Sequence, residues 1–363
     1  MTKGMLHSLN KRLGVPHVSM KNRLKLINAV SAKISADGIR KLCEEDCVAC
    51  LYLDRKIKVY MDIAKPAVGS AIARTAGLTG KEVGIAIIDT GIYPHPDITR
   101  PKNRIIAFRD FVNNHRRPYD DNGHGTHVAG IAAGNGRMSK GKFQGLATKA
   151  NLVGLKVLDK NGAGYTSDVI RGIEWVIRNR NRYKIRVINL SLGTDGPIRC
   201  SDDPLCQATS SAWKSGIVVA AAAGNNGPRS RTIGAPGNNP MIITVGAVDD
   251  KNTVRQSDDV VARFSSRGPA GRINKPDVVA PGVNIVSLRI PRNYKGLSGT
   301  SMATPIVSGV AALLLQRNPK MRPGQVKDIL KRNAFNLGAG RNAQGSGEIN
   351  IRFLAAVRKR KRK

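Results

Sequence analysis

Val83-Gly84-Ile85-Ala86-Ile87-Ile88-Asp89-Thr90-Gly91-Ile92 is the stretch from which the fold can be read. Its first six residues are apolar or glycine, as in a strand buried on both faces. Such strands belong to parallel sheets covered by helices. The run stops on an acid followed by Thr-Gly, a turn signal. Asp89 therefore stands at the carboxyl end of a strand, where open α/β sheets place their ligands. Leu152–Val157, Val187–Leu190, Ile217–Ala223 and Ile242–Val248 are runs of the same kind. Between them, Asp168–Asn179 sets Val169, Ile170, Ile173, Val176 and Ile177 at helical spacing, with Ser167 as the N-cap. Strands alternating with helices predict a mostly parallel α/β sheet.

Two further stretches carry chemistry: His124-Gly125-Thr126-His127 and Gly299-Thr300-Ser301-Met302-Ala303-Thr304-Pro305. A serine is a poor nucleophile at neutral pH unless a histidine takes its proton. The histidine in turn needs an acid to fix its tautomer and stabilise its charge. Beyond Met302, the residues Val307, Val310, Ala311, Leu314 and Leu315 repeat at helical spacing, and Pro305 suits a first turn. Ser301 then sits at a helix N-terminus, where free N–H groups and the dipole favour an anion. A plain capping serine is the bland alternative.

In these residues the chain resembles the subtilisin-like serine peptidases (subtilases), whose triad runs acid, histidine, serine. Val83–Ile92, Asn122–Gly130, Gly224-Asn225-Asn226-Gly227 and Leu297–Pro305 carry the likeness, with Phe264–Pro269 and Lys275–Gly282 as further signatures. It spans roughly residues 65 to 355 and is nearest to the bacterial intracellular, alkaline-protease-like members. The resemblance implies a three-layer α/β domain and peptide-bond hydrolysis with protein or peptide substrates. It implies Asp89 as orienting acid, His124 as base, Ser301 as nucleophile and Asn225 as oxyanion donor, with His127 a structural partner. It also implies a pocket edged by Ser191-Leu192-Gly193 and by Ala221–Gly224, including Ala223 and Gly224, with Gly234 at its base. Such an uncharged floor suits large apolar side chains before the scissile bond.

No cofactor is implied for the chemistry. His95 and Asp97 match a pattern whose aspartate ligates a structural calcium. The usual partner loop is here the basic Gly134–Phe143, poor in the oxygens that calcium requires. A calcium at Asp97 and a plain loop aspartate both stand as readings. Residues 1–62 resemble the later part of an inhibitory prodomain: strand Ile27–Ile34, helix Ser35–Cys43 and strand Val48–Leu53. A first strand is expected to be degenerate or lost. Cleavage is expected around Lys58–Pro66, with residues 63–357 as catalytic domain; a permanent N-terminal domain is the alternative.

The 363 residues include 60 Lys and Arg against 25 Asp and Glu, a net charge of +35. Arg358–Lys363 is a basic tail. Such charge predicts salt-sensitive, non-specific association with polyanions such as nucleic acid, anionic lipid or wall polymer. No stretch approaches a membrane span. The charged N-terminus lacks the apolar run of a secretory signal, and five cysteines leave one unpaired, so the expected compartment is the cytoplasm. Cys43, Cys47 and Cys50 lack a fourth ligand and the spacing of a zinc pair. Cys200 and Cys206 bracket a short polar loop and bridge only if oxidised. Two function classes follow: an active serine endopeptidase, or a catalytically idle subtilase fold that binds peptides or polyanions.

Overall fold

A computed structural model describes residues 18–59 apart from 47, and 77–354 apart from 195, 197, 198 and 254. The domain boundary at 62, most of the expected cleavage region, the basic tail and Cys47 lie outside these residues. In chain order the elements begin with β1 (Val18–Leu24), β2 (Ala29–Ile34), α1 (Ala36–Cys43) and β3 (Lys56–Val59). Then come β4 (Gly84–Asp89), α2 (Pro96–Thr99), β5 (Ile105–Asp110), α3 (His124–Ala133), β6 (Asn151–Lys156), β7 (Ala163–Tyr165) and α4 (Thr166–Asn179). Next are β8 (Ile185–Leu190), β9 (Leu192–Gly193), α5 (Pro204–Lys214), β10 (Val218–Ala222), β11 (Ile243–Asp249), β12 (Val260–Val261) and β13 (Val278–Pro281). The hairpin β14 (Ile285–Arg289) and β15 (Asn293–Leu297) precedes α6 (Thr300–Arg317), α7 (Pro323–Arg332) and α8 (Arg341–Gln344).

The main sheet runs β12-β11-β10-β8-β4-β6-β5, with β13 also on β11. Only β12 is antiparallel to its neighbour. All five apolar runs read from the sequence are strands of this sheet. Its two faces are covered separately. Val128, Ala129 and Ala132 of α3 pack with Val307, Val310 and Leu314 of α6 on one side. Val169, Ile170 and Ile173 of α4 pack with Leu205 and Ala208 of α5 on the other. This is the expected three-layer α/β domain.

Four local expectations change. The strand read as lost is present: β1 pairs antiparallel with β2, Val18 facing Ile34. Val48–Leu53 is irregular rather than a strand, and the strand comes later, as β3. Ser167 lies inside α4 and does not cap it. The capping oxygen arrives from the N-terminal segment: Asp54 accepts from Ser167 N at 3.0 Å and Ser167 Oγ at 2.7 Å. Pro305 lies in the second turn of α6. Its missing N–H leaves the Ser301 carbonyl without its helical donor, and the Ser191 hydroxyl takes that place at 2.8 Å.

Among the described residues no helix is long and apolar enough to cross a membrane. Cys200 and Cys206 form a disulfide, their Cα atoms 5.5 Å apart. Cys43 and Cys50 are free and exposed, and no metal-holding group of three ligands occurs among the described residues.

One buried acid makes stability depend on pH. Glu348 is buried facing Asp259, with Asp250 nearby; desolvation, then the Asp259 carboxyl, push its pKa up to about 9. Between the ordinary value of 4.5 and about 9, the folded chain holds a proton that the unfolded chain has lost. Stability from this group therefore falls as pH rises across that window. Glu348→Gln should hold its melting temperature between pH 5 and 9 better than the parent by about a few degrees. Thermal melts in a Ser301→Ala background, free of self-digestion, check this; parallel curves for the two proteins would refute it.

Candidate active site

β4 and β8 are parallel neighbours in the sheet, the carboxyl end of β4 meets the N-terminus of α3, and the residue after β8 meets the N-terminus of α6. Asp89 ends β4 and is fully buried. His124 opens α3, and its Nδ1 lies 2.7 Å from Asp89 Oδ1. The same Asp89 oxygen accepts from Thr90 N at 2.7 Å. Gly125 permits this approach: a Cβ there would lie 2.2 Å from the Gly91 carbonyl oxygen.

The turn before α3 is held by Asp120. Its Oδ1 accepts from Thr90 Oγ1, Asn122 N and Gly123 N. Its Oδ2 accepts from Thr126 N and Thr126 Oγ1. Asp120 was not singled out from the sequence, although an acid just before a helix is a capping signal.

Ser301 is the second residue of α6, so its N–H has no intrahelical acceptor. Its Oγ donates to the Ser191 carbonyl at 2.9 Å. Asn189 Nδ2 donates to Ser191 Oγ at 2.9 Å, and Ser308 Oγ donates to Asn189 Oδ1 at 2.8 Å. This chain fastens α6 to β8. Asn225 Oδ1 accepts from Thr300 N and Thr300 Oγ1, each at 3.0 Å. Its Nδ2 is thereby turned the other way.

Among the buried polar atoms of Asp89, His124, His127 and Asn225, four have no partner: Asp89 Oδ2, His124 Nε2, His127 Nδ1 and Asn225 Nδ2. A buried unsatisfied group costs about 1–3 kcal/mol, so a cluster of them marks a place built for something that arrives later. His127 differs. Its Nε2 lies 3.0 Å from the Lys295 carbonyl, and burial pushes its pKa down to about 3. It is a neutral packing histidine.

An imidazole backed by a carboxylate, a serine at a helix N-terminus and a side-chain amide with a free donor are the residue types that acyl transfer requires. The subtilase family model matches residues 80–350. The chain belongs to the subtilase family. This subtilase is 44% identical over 357 residues to the serine protease AprX of Bacillus subtilis strain 168, covering 91% of this chain and 80% of that protein. It is 37% identical over 343 residues to subtilisin E of the same organism, covering 93% and 83% respectively. Among solved structures it is similar to sphericase, with a TM-score of 0.64, 30% identity, and coverage of 77% of this chain and 97% of that one. The protein is a serine endopeptidase of the subtilase family, and that chemistry needs no cofactor.

The short strand β9 begins directly after Ser191. β3 of the N-terminal segment lies antiparallel between β7 and β9. Lys58 pairs with both Ala163 and Gly193, and Val59 with Leu192. Ile57 is fully buried there. Leu192 and Gly193 thus pair with an extended segment from the chain's own N-terminal part. Gly224 N donates to Thr300 Oγ1 at 3.2 Å, and Ala223 N donates to Val245 O at 2.9 Å. Gly234 packs on the backbone just after β9, where a Cβ would lie 1.9 Å from the Thr194 carbonyl oxygen.

The partners of Asp97 are those of a plain loop aspartate. Oδ1 accepts from Met138 N at 2.8 Å and Oδ2 from Tyr294 Oη at 2.6 Å. The Asp97 carbonyl accepts from Arg104 Nη2 at 2.6 Å and from Asn135 N at 3.1 Å. A cation needs oxygens pointing inward, whereas here N–H and O–H donors surround the carboxylate. The residues do not fit a calcium ion; the basic 134–143 loop is tied down by proton donors instead.

Proposed function

We propose that this subtilase cleaves peptide bonds through Asp89, His124 and Ser301, with an acyl-enzyme intermediate. The observation that carries the reading is the buried Asp89–His124 pair, whose imidazole Nε2 has no partner, as Asn225 Nδ2 has none. On substrate binding, Ser301 Oγ turns from the Ser191 carbonyl to His124 Nε2 and gives up its proton as it attacks the scissile carbonyl. Asp89 holds the imidazole in the Nδ1–H tautomer and stabilises the imidazolium. The developing oxyanion takes hydrogen bonds from Asn225 Nδ2 and the Ser301 N–H. His124 then passes its proton to the leaving amine, and a water repeats the sequence to release the acyl group.

Substrate is an extended chain added between β7 and β9 by main-chain pairing. The burial of Ile57 in that position and the uncharged edge at Ser191–Gly193 support a preference for large apolar side chains. The N-terminal segment is a prodomain that enters between β7 and β9 through β3 and is cut within Lys58–Pro66. The net charge of +35 supports salt-sensitive polyanion association as a secondary property. An idle binding scaffold is not favoured, since it would have no use for the unpartnered acceptor on His124 and donor on Asn225.

Treatment with a sulfonyl fluoride followed by peptide mapping tests the reading. A single adduct on Ser301, with loss of hydrolysis of a chromogenic phenylalanyl peptide, is the expected result. An intact Ser301 in active protein would overturn it.

A further inference from the structure

Lys156 is the last residue of β6, in register with Asp89 on β4, and its side chain is fully buried. Its ammonium donates to the Thr90 carbonyl at 2.7 Å, to Asp121 Oδ1 at 2.6 Å and to the Leu158 carbonyl at 2.9 Å. The Tyr119 ring lies beside the ammonium, 5.1 Å from centroid to Nζ. All three acceptors belong to segments that carry or flank the site. Thr90 follows Asp89, Asp121 stands three residues before His124, and Leu158 continues the strand that carries Lys156 itself.

An apolar side chain of similar volume would fill this place without desolvating a charge, and such replacements are often neutral or stabilising. Packing therefore does not account for the ammonium. Its geometry does something that a methyl group cannot: it joins the backbone after the acid to the turn before the histidine. On the other side of that junction, Thr90 Oγ1 donates to Asp120 Oδ1 and accepts from Gly125 N, both at 2.9 Å. The two connections together leave the Asp89 and His124 backbones little freedom to slide past each other.

We infer that Lys156 is a positioning residue for the reaction, setting the Asp89–His124 geometry through Thr90 and Asp121. The inference rests on the triad reading above. A misplacement of about 1 Å in such a constellation costs up to roughly 10²-fold in rate. Lys156→Met should accordingly lower kcat about 10- to 10²-fold on a chromogenic peptide while KM stays within about twofold, because the substrate edges β7 and β9 are untouched. Its second-order rate of inactivation by a sulfonyl fluoride should fall in parallel.

Asp121→Ala, at a partly exposed partner, removes one of the three contacts and should give a smaller fall of the same pattern. Both are measured well below each variant's melting temperature. Folded Lys156→Met with kcat and inactivation rate close to the parent's would overturn the inference. If that variant does not fold, unchanged kcat and inactivation rate in Asp121→Ala would do so. Failure of the parent enzyme to react at Ser301 would instead sink the triad reading and is visible before any variant is made.

Discussion

Replacing Ser301 by alanine should lower kcat by about 10⁶-fold, the scale established for the nucleophile of a subtilisin rather than one derived from this geometry. Ser301 Oγ makes one hydrogen bond in the structure, to the Ser191 carbonyl, so the fold loses little when it goes. The α6 N-terminus keeps its tie through Ser191 Oγ to the Ser301 carbonyl, a backbone group that alanine retains. The variant should therefore fold and melt close to the parent. It should also keep its full length: intact mass of fresh protein is expected to show the N-terminal segment attached in Ser301→Ala and removed in the parent. Removal in both would mean that another protease does the cutting. A parent that stays full-length and yet hydrolyses peptide would make the segment a permanent domain.

Asn225→Ala is expected to cost about 10²- to 10³-fold in kcat with little change in KM; this range too comes from a subtilisin's oxyanion asparagine. Here the argument rests on what fixes the amide. Thr300 supplies two donors to Asn225 Oδ1, so a flipped side chain would set its NH₂ against them. Nδ2 is left buried without a partner. Its hydrogen bond gains most when the carbonyl oxygen becomes an anion, so truncation should affect the transition state rather than binding of the ground state. Steady-state kinetics on one peptide separate the two. A rise in KM at constant kcat would mean that Asn225 merely holds substrate.

Glu348 and Lys156 show how far sequence reading reached. Both are ionisable residues in apolar or small-residue sequence surroundings, and a lysine inside the Leu152–Val157 run was a visible signal. What it meant was not visible, because none of the three acceptors of Lys156 is defined by local pattern. Asp97 went the other way. Its local motif pointed to a cation, and Tyr294, far along the chain, supplies a proton donor in the cation's place. The same holds for Asp54, which caps a helix that begins more than a hundred residues later.

The sequence by itself determined the buried parallel strands, the three-layer domain, and the residue types and order of Asp89, His124, Asn225 and Ser301. Each is written in a few adjacent residues: an apolar run, a glycine that lets backbone approach, a helix start. Tertiary structure alone decided which donor meets which acceptor: Asp54 on α4, Ser191 on the Ser301 carbonyl, Tyr294 on Asp97, Lys156 between Thr90 and Asp121. Strand and helix periodicities are properties of neighbouring residues. A hydrogen bond between distant segments depends on register and packing angle, which are settled only when the whole core closes.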